Sequence, residues 1–323
     1  MTILVTGAAG FIGSYLCHYL LDRGDEVAGI DDLNDYYDPS LKEARLERLR
    51  ARNGFSFVRG DISSPDALVE AIRGHRITKV AHLAAQAGVR YSLENPRAYL
   101  RSNLAGHLEV LELCRGLGTV EHLVYASSSS VYGGNEKVPF SETDPVDHPV
   151  SLYAATKKAD ELMSHAYSHL YGIPQTGLRF FTVYGPWGRP DMAYWLFTEA
   201  MLKGKPIRVF NDGDMWRDFT YVDDIVRGTA AALDHPPVGP RAPHRIYNIG
   251  HNKPEHLGRF IDILEEVLGV KAVRQYEPMQ PGDVPRTYAD ISAIERDLGF
   301  VPKVGLREGL SAFADWYRDR FKL

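Results

Sequence analysis

Short apolar runs alternate strictly with amphipathic stretches through the first half of this chain, and that alternation leaves few folds open to it. Ile3–Val5, Glu26–Ile30, Phe55–Val58, Lys79–Leu83 and His122–Tyr125 are brief, apolar and bounded by polar residues or glycine. Such runs read as strands buried on both faces. Between them, Phe11–Arg23, Ser40–Arg52, Pro65–Arg73 and Arg97–Gly116 read as helices, and Ser151–Tyr171 followed by Gln175–Arg179 extends the series. Strands separated by helices join through right-handed crossovers, so the expected class is α/β with a doubly wound parallel sheet.

Past about Gly185 the rhythm breaks. Prolines and glycines thicken, Ile207–Phe210, Asp218–Tyr221 and Arg245–Asn248 read as isolated strands, and Asp224–Leu233, Leu257–Leu268 and Leu306–Phe321 as helices. The most linker-like stretch is Asp234–Pro243, with four prolines in ten residues. The expected organisation is a nucleotide-binding domain over residues 1–185, with returning elements around 222–250. A smaller mixed substrate-binding domain is expected over 186–323.

The turn Thr6-Gly7-Ala8-Ala9-Gly10-Phe11-Ile12-Gly13 links the first strand to the first helix. Glycine there permits a sharp turn and close approach of a pyrophosphate to helix N–H groups, where the helix dipole is positive. The second strand ends in Ile30-Asp31-Asp32, with Asp31 lying 18 residues past Gly13. A carboxylate at that distance suits both ribose hydroxyls of an adenosine and repels a 2′-phosphate, which favours NAD over NADP. Gly60-Asp61-Ile62 is similarly placed to meet the adenine. Together these features specify a Rossmann-type sheet.

Composition removes several other classes. Charged residues are 24% of the chain and the formal net charge is -5, a poor match to a phosphate-backbone binder, so nucleic acid is not an expected partner. The cysteines, Cys17 and Cys114, are two and far apart, which rules out a disulfide framework and gives no CxxC metal signature. No apolar run reaches the ~18 residues of a membrane span, and the start of the sequence has no basic leader. The expectation is a cytoplasmic protein with no membrane association. Asp223-Asp224 reads as a helix cap at Asp223, and the twelve histidines lack metal-ligand spacing, so no metal is expected. Tyr36-Tyr37 reads as packing.

The glycine turn is spaced GxxGxxG, and here the sequence resembles the extended short-chain dehydrogenase/reductase family, whose turn reads TGxxGFIG. The resemblance spans essentially the whole chain. It implies a bound NAD held by Gly7, Gly10, Phe11, Ile12, Gly13, Asp31, Asp32, Asn34, Asp61, Ile62, Leu83, Ala84, Ala85, Tyr153 and Lys157.

Tyr153 and Lys157 are four apart in Ser151-Leu-Tyr-Ala-Ala-Thr-Lys, which places both on one face of a helix. A lysine ammonium near a phenol favours the phenolate, a general base for an alcohol proton. The preceding strand ends Ala126-Ser127-Ser128-Ser129-Ser130-Val131-Tyr132-Gly133. By the family pattern Ser128 completes a triad with Tyr153 and Lys157 and bonds the substrate O4. Nucleotide-sugar 4,6-dehydratases read TDEVYG here and use the acids to move protons; Ser129 and Ser130 carry no carboxyl, which disfavours dehydration.

Arg179-Phe-Phe-Thr182-Val-Tyr-Gly185, Pro186-Trp-Gly-Arg189, Asp31–Asp38 and Gln86–Ser92 are similar to the UDP-glucuronate 4-epimerase branch of that family. Thr182 stands where UDP-galactose 4-epimerases have asparagine, and Asp32 where the branch often has asparagine. The resemblance implies NAD-dependent interconversion of UDP-glucuronate and UDP-galacturonate through a transient 4-keto sugar. Ser128, Ser129, Ser130 and Thr182 would contact the sugar, Arg189 would lend it charge, and Arg217 and Arg286 would grip the diphosphate. Relatives commonly form homodimers through the helices Arg97–Gly116 and Ser151–Tyr171. The alternatives are a 4-epimerase of neutral UDP-hexoses, a UDP-glucuronate decarboxylase and, outside enzymes, a nucleotide-sensing binding protein.

Overall fold

A computed structural model of the chain describes residues 1–239, 242–280 and 282–323. In order, its elements begin β1 (Thr2–Thr6), α1 (Phe11–Asp22), β2 (Glu26–Asp31), α2 (Pro39–Arg50), β3 (Phe55–Arg59), α3 (Pro65–Ala71) and β4 (Ile77–His82). Two single turns, α4 (Tyr91–Glu94) and α5 (Pro96–Tyr99), lead through a π-helical stretch, Leu100–Ala105, into α6 (Gly106–Leu117). Then come β5 (His122–Ser128), a 3₁₀ turn at Ser129–Tyr132, α7 (Leu152–Tyr171), β6 (Gln175–Phe180), β7 (Thr182–Tyr184) and α8 (Ala193–Leu202). The remainder is β8 (Ile207–Phe210), β9 (Trp216–Tyr221), α9 (Val222–Asp234), β10 (His244–Ile249), β11 (Pro254–His256), α10 (Leu257–Leu268), β12 (Arg274–Glu277), α11 (Ser292–Leu298) and α12 (Leu306–Phe321).

Seven strands form one sheet in the order β10-β6-β5-β4-β1-β2-β3, and every neighbouring pair is parallel. The apolar runs explain the layers on either side. Ile3 and Val5 point to the face covered by Leu16, Leu20, Ile225 and Leu233 of α1 and α9. Leu4, between them, points to the face covered by Leu68, Val110 and Leu111 of α3 and α6. This is the expected doubly wound Rossmann-type sheet, and β10 is the returning strand. The rest of the chain adds a three-stranded sheet, β11-β9-β7, and a two-stranded sheet, β12-β8. The C-terminal helix α12 is docked, with Leu310, Phe313 and Tyr317 buried.

Several expectations need correction. Arg97–Gly116 is not one regular helix: its first part is the α5 turn and the π-helical stretch, and it ends at Gly118 in the left-handed region. Inside the π stretch the buried Asn103 donates to Gln86 O (3.1 Å) and Thr156 Oγ1 (3.0 Å), and it accepts from Gln86 N–H (2.8 Å). A widened turn brings that amide to the loop after β4, and π bulges of this kind are frequent at functional sites. Asp223 is no cap, since Tyr221 occupies the N-cap position of α9. Its neighbour Asp224 is buried and accepts Lys303 N–H (2.9 Å) and Val304 N–H (3.0 Å), holding the approach to α12. Residues 240 and 241 of the expected linker lie outside the described residues.

Candidate active site

One cavity of about 950 Å³ opens at the carboxyl ends of the parallel strands. It spans the point between β1 and β4 where the strand order reverses, the usual ligand crevice of such sheets. Its floor begins at the glycine turn, where Gly7 N–H donates to Ile30 O at 2.8 Å. Gly7 has φ +74°, and a Cβ on it would lie 2.8 Å from Ala84 N. A Cβ on Gly13 would lie 2.0 Å from Gly7 O, so only glycine lets α1 sit this close to the turn. Gly10 caps α1 with no side chain, and no acid occupies the first turn, which leaves positive N–H groups facing the crevice.

Every residue proposed for the dinucleotide lines this cavity: Gly7, Gly10, Phe11, Ile12, Gly13, Asp31, Asp32, Asn34, Asp61, Ile62, Leu83, Ala84, Ala85, Tyr153 and Lys157. Asp31 is nearly buried and accepts Ala9 N–H (3.1 Å) and Leu33 N–H (2.9 Å). Burial raises its carboxyl above the ordinary value, against the pull of those N–H groups and Lys42. Asp32 is occupied by Asn34, whose side-chain amide and backbone N–H donate to it at 3.0 Å. Asp61 pairs with Arg101 at 2.7 Å. A glycine cradle that any Cβ would fill, beside an acid at the end of β2, fits a dinucleotide.

Ser128 ends β5 and Tyr153 opens α7, so both reach the middle of the cavity. The Ser128 hydroxyl accepts Ser130 N–H (3.2 Å) and Ser130 Oγ–H (2.9 Å), which fixes the 3₁₀ turn carrying Ser129 and Ser130 along the wall. Tyr153 is half-buried, with its ring edge-on to Tyr99 at 6.0 Å. Lys157 is almost wholly buried, and its ammonium donates to Ala126 O (2.8 Å) and to Asp160 Oδ2 (3.1 Å). Arg179, in the segment that follows, is a buried ion pair with Glu161 at 2.8 and 2.9 Å.

The cavity is also lined by Thr182, Arg189 and Arg217. Neither arginine is unpaired. Arg189 forms a two-point pair with Asp191 at 3.0 and 2.5 Å, and Asp191 also accepts the Tyr36 hydroxyl at 3.0 Å. Burial opposes the Arg189 charge, but Asp191 outweighs it and raises the pKa. Arg217 bonds Asp283 at 2.8 Å, and here burial prevails and lowers the pKa, with Arg90 pressing from the other side of the same acid (3.7 Å). Arg286 is the exception among the expected residues. It is exposed, does not line the cavity, and lies over the Trp216 ring at 5.8 Å. The Arg286 and Trp216 backbones are bridged at that position.

Four contributors escaped the sequence reading. Asp191 stood two residues from Arg189, and Asp160 three from Lys157, so each pairing was available as a local spacing. Asp283 and Arg45 gave no such signal. Arg45 is fully buried in α2 and donates to Trp187 O (2.5 Å), Gly188 O (2.8 Å), Ala9 O (3.2 Å) and the Tyr37 hydroxyl (2.8 Å). Its guanidinium therefore ties the glycine turn to the loop that carries Arg189. Tyr36 and Tyr37 are hydrogen-bonded partners in this arrangement as well as packing groups.

A model of the NAD dependent epimerase/dehydratase family matches residues 3–250, which include all of the seven-stranded sheet but Thr2. The chain belongs to that family. Within the family it is 51% identical over 330 residues to UDP-glucuronate 4-epimerase 4 of Arabidopsis thaliana, covering 98% of this chain and 75% of that one. It is 48% identical over 335 residues to protein CapI of Staphylococcus aureus, covering 100% of both chains. Among solved structures, UDP-glucuronic acid 4-epimerase of Bacillus cereus in complex with UDP-glucuronic acid and NAD superposes with a TM-score of 0.90. That match has 36% identity and covers 99% of this chain and 100% of the other. No helix among the described residues is long and apolar enough to cross a membrane.

Proposed function

We propose that this chain interconverts UDP-glucuronate and UDP-galacturonate by epimerisation at C4. The observation that carries this reading is that Ser128, Ser129 and Ser130 line the same cavity as Tyr153 and offer hydroxyls where a dehydratase needs acids. It occurs in a chain about half identical to UDP-glucuronate 4-epimerases.

In this mechanism Tyr153, as phenolate, takes the proton from the sugar O4, while the Ser128 hydroxyl holds the same oxygen. Lys157 lends positive charge from beneath and favours the phenolate. NAD, held by the glycine turn and Asp31, would supply the acceptor and then the donor of the C4 hydride, with no net redox change. The 4-keto sugar turns over in the cavity before Tyr153 returns the proton. That intermediate is a β-keto acid, which loses CO₂ when its carboxylate aligns with the carbonyl π system. Ser129, Ser130 and Thr182 supply neutral donors to hold the carboxylate out of that alignment, and the Arg189–Asp191 pair supports them. Arg217 faces the diphosphate.

The test is product analysis with UDP-glucuronate, UDP-glucose and UDP-N-acetylglucosamine side by side, with bound NAD measured in the purified protein. UDP-galacturonate as the main product is expected; a pentose nucleotide, or preference for a neutral sugar, overturns the reading. Tyr153→Phe is expected to lose about 10²–10⁴-fold in kcat, the usual worth of a positioned general base.

We also read the chain as a cytoplasmic homodimer joined by α6 and α7. Leu108, Leu162, Leu170 and Tyr171 are exposed on those helices, and this supports the assembly. Sedimentation at the mass of one chain would refute it. Residues 1–185 with the 222–250 elements form the nucleotide-binding part in this reading, and 186–323 otherwise the sugar-binding part.

A further inference from the structure

Beneath the cavity floor lies a buried acid that the mechanism above does not use. Asp160 follows Lys157 by one helical turn in α7, and the two side chains are 4% and 1% exposed. Lys157 Nζ meets Ala126 O at 2.8 Å and Asp160 Oδ2 at 3.1 Å. Asp160 Oδ1 is buried with no hydrogen-bond partner among the described residues. The only ion pair of Lys157 among the described residues is this one.

We propose that Asp160 is a positioning residue whose carboxylate keeps Lys157 charged and anchored below Tyr153 at neutral to alkaline pH. This rests on the reading of Tyr153 and Lys157 as the catalytic pair. Burial disfavours a charge that has one carbonyl and no counter-ion, relative to its neutral form. A lysine that is neutral no longer favours the phenolate. Apart from the Tyr153 phenolate itself, whose charge the ammonium is there to favour, the counter-charge comes from Asp160; the other described groups around the pair do not supply it. Glu161, next on the same helix, is committed to Arg179 and to the Ser127 hydroxyl.

From β4, His82 bonds Thr6 Oγ1, and burial drives its pKa down to about 3. From α6, His107 bonds Ser164 Oγ and burial holds it neutral in the same way. From β5, Tyr125 is pushed well above its ordinary range by burial. Around Lys157 these groups are all uncharged at neutral pH. Asp160 itself is raised by burial to about 7, against the pull of Lys157. It is therefore increasingly ionised above that pH, where Lys157 most needs it, and largely neutral below it.

The sign gives a sharp test. Asp160→Asn has the shape of the neutral acid, so kcat should equal that of the wild type near pH 6 and fall away above pH 7. We expect the alkaline limb of the kcat profile to move down by about one pH unit or more, and kcat at pH 9 to drop about tenfold. KM for UDP-glucuronate should change little. A merely structural role would lower activity evenly across pH. If Asp160→Asn folds poorly, Asp160→Ser is expected to show the same displacement. Profiles parallel to wild type in the folded variants overturn the assignment. A fully active Tyr153→Phe would remove the underlying reading, whereas an inactive Tyr153→Phe beside an unshifted Asp160→Asn would remove only this inference.

Discussion

On the side of the glycine turn the cavity wall is largely main chain, held by steric fit: Gly7 against Ala84, Gly13 against the Gly7 carbonyl, Ala84 N–H on Thr6 Oγ1. The other wall is built from charges already spoken for, Arg189 with Asp191 on a loop and Arg217 of β9 with Asp283. A wall of backbone tolerates almost no added atom. A wall of paired charges tolerates substitution better, because each pair is partly solvated and solvent screens what is lost.

The strongest way to break this contrast is on the backbone side. Gly13→Ala should cost about 3 kcal/mol or more, since its methyl would stand 2.0 Å from a carbonyl that cannot move without opening the turn. NAD should be absent from the purified variant, read by absorbance after denaturation. Retention of NAD at full occupancy would show that the turn is looser than it looks. Next comes the element joining the two walls. Arg45→Met leaves the carbonyls of Ala9, Trp187 and Gly188 without their donor, so unfolding by urea should show a loss of about 3 kcal/mol.

The smallest effects belong to the charged wall. Arg217→Ala should raise the KM for the UDP-sugar about tenfold, the scale of one charge-assisted hydrogen bond. Arg286→Ala, outside the cavity, should change it less than twofold, within the small effect of an exposed charge. Equal effects of the two substitutions would mean that Arg286 swings in when the diphosphate arrives.

The same contrast explains what could be read in advance. Strands such as Ile3–Val5 and the turn at Gly7–Gly13 obey local rules, because alternation and glycine placement are dictated by the sheet and the crevice. Tyr153 and Lys157 were legible for the same reason, being one helical turn apart. The π-helical stretch at Leu100–Ala105 was not, because nothing in the run of residues distinguishes Asn103 from an ordinary helical surface position; its partners are Gln86 and Thr156. Nothing in the stretch Ser40–Arg52 sets Arg45 apart from its other charges, and its acceptors are carbonyls of Ala9, Trp187 and Gly188, which any residue types could have supplied. Arg286 was placed by family pattern alone, and its side chain lies exposed over the Trp216 ring.

The pairing of β10 with β6, His244 against Gln175 and onward to Ile249 against Phe180, has a consequence for how the chain is made. The edge of the main sheet stays open until a segment emerges that follows β7, β8 and β9 in the chain. During synthesis β6 must wait as a bare edge with unpaired donors and acceptors, the condition that invites association with other chains. Long-range parallel pairing of this kind is also slow. A chain cut after Gly185 would keep that edge permanently, so the nucleotide-binding sheet does not mature ahead of the segments that build the sugar side.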